Sequence, residues 1–66
     1  MFIMVGLDIG EPNETEEKLT QKRIGAMLGL AADMFSHGKI PVKDNQVKTF
    51  SDKLSGYSCA IEISHD

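Results

Sequence analysis

His37, His65, Cys59, Asp8 and Glu62 are the side chains whose types suit catalysis, and their spacing decides whether they can work together. His37 falls in the last turn of a long predicted helix, where a partly charged ring is favoured by the helix C-terminus. His65 stands beside the final residue. Cys59 is in register with Tyr57 and Ile61 on the apolar side of a predicted strand, which makes it a buried, inert thiol rather than a nucleophile. Asp8 and Glu62 lie on the wetter faces of their strands. If those strands are neighbours the two carboxylates approach one another, but a solvated sheet face accounts for both. No pair has a spacing that implies general acid-base work. With one cysteine and two isolated histidines, the chain offers neither a disulfide nor a zinc cluster. The expectation is a protein that is not an enzyme and needs no cofactor or metal.

Lys18, Lys22 and Arg23, with Lys39 further on, could meet an anion such as a nucleotide, held between copies of the chain. Duplex nucleic acid is not expected, because the net charge is -3 and the aromatics are only Phe2, Phe35, Phe50 and Tyr57. The run Gly6-Leu7-Asp8-Ile9-Gly10 resembles the first phosphate-loop strand of the actin and sugar-kinase ATPases, and the first strand of RuvC-type nucleases, whose aspartate belongs to a metal site. Those folds require a five-stranded sheet and carboxylates from distant strands, for which 66 residues are too few. Glu11 and Pro12 also stand where small and hydroxyl residues would approach phosphate. A strand ending in a glycine turn explains the motif by sterics.

The element that positions the rest is predicted from Asn13 to Gly38 as one long helix. Asn13 can cap it with Glu16 reaching back, and Gly38 with Pro41 can end it. Ile24, Met27, Leu28, Ala31, Met34 and Phe35 make its apolar stripe. Gly25, Gly29, Ala32 and Ser36 make a second stripe without bulk. A glycine inside a helix costs roughly 1 kcal/mol relative to alanine, so two of them one turn apart suggest that another backbone comes close. The stripe would either seat the helix on its own sheet and second helix or meet another copy or partner.

Phe2 to Ile9 alternates, with Ile3, Val5, Leu7 and Ile9 on one face that is expected to be firmly buried. Phe2 and Met4 on the other face suggest a surface that another copy covers. Ile40 and Val42 could form a very short edge strand. Residues 44–55 are expected to form a second helix capped by Asp44 or Asn45, with Val47, Phe50 and Leu54 as its stripe; the rival reading is a strand over Val47 to Phe50 in a hairpin. Tyr57 to Ile63 alternates as a last strand, and Ser64 to Asp66 are expected to fray.

These elements predict a single α+β domain, a β-α-α-β unit in which one long and one short helix cover a small antiparallel sheet. A domain of this size buries only about 60% of its unfolded surface, so association between copies, with a dimer favoured, is expected to supply the missing stability. Residues 1–17 carry a charge of -5 and residues 18–53 a charge of +4, an asymmetry that helix-end electrostatics largely explains. The apolar start is too short and lacks the flanks of a signal peptide, no run reaches membrane-spanning length, and a lone cysteine suits a reducing cytoplasm. The function expected is that of a small interaction protein that binds and inhibits another protein, of the type that phages and mobile elements encode. The alternative is a homo-oligomer that binds a small anion through Lys18, Lys22, Arg23 and Lys39.

Overall fold

The computed structural model describes residues 1–10 and 16–65. Three strands and one helix follow in the order β1 (Phe2–Asp8), α1 (Glu17–Ser36), β2 (Gln46–Ser51) and β3 (Ser58–Ser64). The strands form one antiparallel sheet in the order β1-β3-β2, so the strand that comes last in the chain lies in the middle. The fold is α+β with a small antiparallel sheet.

Register places every side chain, because residues directly opposite one another share a face. Ile3, Val5 and Leu7 stand opposite Ile63, Ile61 and Cys59. On the other side of β3 the same three residues face Gln46, Lys48 and Phe50. This is the face that α1 covers. Met27 and Ala31 from the helix join Ile40, Tyr57, Cys59, Ile61 and Ile63 in the buried core, with Ile24, Met34 and Phe35 partly buried against it. Leu28, expected in the same stripe, is close to half exposed, because it projects from the flank of the helix.

The second helix is not formed. Residues 46–51 are a strand, and the unit is β-α-β-β. Val47, Thr49 and Phe50 are β-branched or aromatic and favour extended backbone. A helix of about ten residues has little to hold it in isolation, whereas β2 satisfies the free edge of β3 along its length. The β2–β3 hairpin is closed by Asp52. Its amide donates to the Tyr57 carbonyl at 2.9 Å, and its own carbonyl accepts from Gly56, whose φ is 75°. Its carboxylate accepts from the Leu54 amide at 3.2 Å and the Ser55 hydroxyl at 2.9 Å. Leu54, expected in an apolar stripe, is instead almost fully exposed in this loop.

The cap expected at Asn13 lies outside the described residues; Glu16 flanks the first helical residue without a side-chain cap bond. The other end follows expectation. Gly38 has φ 68°, its amide donates to Phe35, and the Lys39 amide donates to Met34 at 2.8 Å. This pair of bonds satisfies the last carbonyls of the helix. The chain then drops Ile40 into the core, but Ile40 and Val42 form no strand. The Gln46 side-chain amide donates to the Pro41 carbonyl. Of the end expected to fray, Ser64 belongs to β3, Asp66 lies outside the described residues, and His65 is held: its amide donates to Asn45 Oδ1 at 2.6 Å, and its ring Nε2 donates to the Val42 carbonyl at 2.7 Å.

Candidate functional site

The residues that suit catalysis are kept apart. Asp8 and Glu62 do share a face, but Asp8 stands opposite Ser58 and Glu62 opposite Met4. Four residues along a strand separate them by about 13 Å, too far for one carboxylate to tune the other. Asp8 Oδ1 instead accepts from the Gly10 amide at 3.0 Å, and Gly10 has φ 65°. The aspartate of the Gly6–Gly10 motif thus shapes the turn that ends β1. Cys59 is buried in the core, where burial pushes its thiol up from the ordinary value. His37 caps the helix C-terminus and is exposed, and His65 is held by its bonds to Asn45 and Val42. Among the described residues, no three of His, Cys, Asp and Glu are placed to share a metal ion.

The basic set does not converge within one chain. Lys18, Lys22 and Arg23 occupy the first half of α1, and Lys39 follows its C-terminus. At 1.5 Å per residue, Lys18 lies about 27 Å from Ser36, the last helical residue.

The contact residues expected from sequence form two surfaces on opposite sides of the molecule. Gly25, Gly29, Ala32 and Ser36 are all exposed on the outer side of α1. A Cβ added at either glycine would meet nothing within 4 Å. The small side chains therefore do not seat the helix on its own sheet, which removes one of the two reasons given for the stripe.

Phe2 and Met4 stand on the open face of the sheet, away from the helix. In the row across the sheet Met4, Glu62 and Val47 are neighbours, and Phe2 lies in the next row beside Ser64. Phe2, Met4 and Val47 are each more than half exposed. The following row is Gly6, Ala60 and Thr49, and these short side chains floor a shallow hollow of about 270 Å³ that Asp8 and Ser58 border. Val47 was missed as a surface residue because a helical reading turned it inward; the sequence carries no local signal for its direction, since Gln46 and Lys48 share the covered face with Phe50 while Val47 faces out. No helix among the described residues is long and apolar enough to cross a membrane. No family model matches the chain, and no curated protein or solved structure matches it significantly.

Proposed function

We propose that this chain is a non-catalytic interaction protein that binds another protein through the open face of its sheet and so modulates it. The observation that carries the reading is the clustering of Phe2, Met4 and Val47, each more than half exposed, around Glu62 on one face. Covering the exposed parts of three such side chains is worth roughly 2–4 kcal/mol, which is enough to matter in an association. Beside them the hollow over Gly6 and Ala60 has room for an apolar side chain of the partner. Glu62 at the centre favours a partner that presents a lysine, arginine or hydroxyl there. A sheet face of this kind covers a surface on its partner, so inhibition is the expected effect, as in the small inhibitors that phages and mobile elements encode.

The test is to capture a partner on the immobilised chain, reconstitute the pair from purified components and measure affinity by calorimetry. Val47→Lys should weaken binding at least tenfold while leaving the circular dichroism spectrum unchanged, because Val47 touches solvent and a lysine there stands opposite Glu62, a favourable cross-strand pair. Equal affinity for the variant and the natural chain would overturn the assignment of this face.

A further inference from the structure

The two edges of the sheet are not alike. β2 carries Lys48, half-buried on the helix-covered face, and Lys43, Asp44, Asp52 and Lys53 flank the strand. Charges at and around an edge, above all one turned inward, block the approach of another strand. β1 has no such device: from Phe2 to Leu7 it holds no charged residue, and among the described residues nothing pairs with its outer side. Six uncharged residues of strand, with free amides and carbonyls along the outer side, form a template for strand addition.

The covered face is also incomplete at this edge. Ile3 and Val5 stand opposite Ile63 and Ile61, which are 1% exposed, yet they are themselves 40% and 41% exposed. The helix shields the centre of the sheet and stops short of β1. The whole chain shows the same deficit. A folded monomer of 7.3 kDa is expected to expose about 4,200 Å², whereas this one exposes 5112 Å². The excess of about 900 Å² is close to the roughly 800 Å² that each partner buries in a stable interface. Its radius of gyration is 13.2 Å against about 11 Å for a compact chain of this length.

We infer that a second copy of this chain completes the sheet, its β1 adding antiparallel to β1 across a two-fold axis normal to the sheet. Antiparallel pairing of one strand with itself is self-complementary, as a two-fold interface requires. The product is a six-stranded sheet with β2 at both outer edges and both helices on one side. Ile3 and Val5 of the two copies then form a shared strip between the helices. Asp8 of each copy falls opposite the beginning of the other strand, so the two carboxylates do not meet. The inference goes beyond the proposed partner binding, since it uses the edge of β1 rather than the open face, and Val47 lies far from the new seam.

Sedimentation of the natural chain at micromolar concentration should give twice the 7.3 kDa mass. Val5→Lys, whose ammonium reaches water past the open edge in the monomer but is buried at the seam, should weaken the dimer at least tenfold, while Val47→Lys, opposite Glu62 on β3, leaves it intact. Hydrogen exchange on the natural chain gives a readout independent of any variant: outward-facing amides of β1 should be protected and those of β2 should exchange freely. A monomer at these concentrations, a dimer indifferent to Val5→Lys in folded protein, or β1 amides protected only after a different protein is added would each overturn the inference. Loss of the dimer with retained partner binding would leave the proposed function standing alone.

Discussion

Asp52 shows how much one side chain organises. Its carboxylate takes hydrogen bonds from the Ser55 hydroxyl and the Leu54 amide, and these bonds hold its pKa below the ordinary carboxylate value. A lowered value in the folded state means that the bonds stabilise the fold above the unfolded pKa, and that this contribution is lost as pH falls through the folded one. Thermal melts of the natural chain should therefore lose stability on acidification below about pH 4, and Asp52→Asn should show a shallower loss over the same range. Parallel curves would mean that the carboxylate does not control the loop. The preferred sequence reading made the residue a helical position and the rival hairpin reading left it just beyond a strand, since a hairpin loop and the interior of a short helix use the same polar residues. Cys59 was easier: alternation with Tyr57 and Ile61 put its thiol inside, and it is inside.

Among the elements, β1, β3 and the end of α1 were legible because each carries a local cause that tertiary context does not override. Alternation put Cys59, Ile61 and Ile63 inside and gave β1 its facing but not its burial, since Ile3 and Val5 stay 40% and 41% exposed, and Gly38 followed by Pro41 ends the helix. β2 was not, because Val47, Phe50 and Leu54 fit a helical spacing by accident while Lys48, in the middle of the strand, faces the covered side. Only pairing with β3 decides between them, and pairing is a property of two segments. The glycines of α1 were half legible: their cost was visible, their direction was not. As both face open space, Gly29→Ala should stabilise the isolated helix by about 1 kcal/mol. For a domain of this size that is a rise of roughly 4–8 °C in melting temperature. A fall in melting temperature would reveal a backbone that approaches Gly29 from outside.

For the whole molecule, the core is narrow: one row of β3 residues, two helical residues, Ile40 and Tyr57. A chain of 66 residues has a total stability of roughly 3–10 kcal/mol. Truncating a fully buried aliphatic side chain costs about 2–5 kcal/mol. Ile61→Ala, at the centre of that row, should thus leave the chain largely unfolded at room temperature, as read by denaturant titration. A cooperative transition close to that of the natural chain would show that the core extends beyond the residues identified here. The candidate surfaces were the least legible feature at this scale, since sequence gave Phe2, Met4 and the helical stripe as one set, and only the register places them on opposite sides.

The central position of β3 has a consequence for how the chain comes to be folded. β2 reaches it through a short hairpin loop, but Leu7 must find Cys59 across most of the sequence, and closures of that length are slow. During synthesis no sheet exists until β3 leaves the ribosome. β1 waits unpaired while the roughly fifty residues between it and β3 are made, and in that interval it is open to chaperones and to neighbouring nascent chains alike.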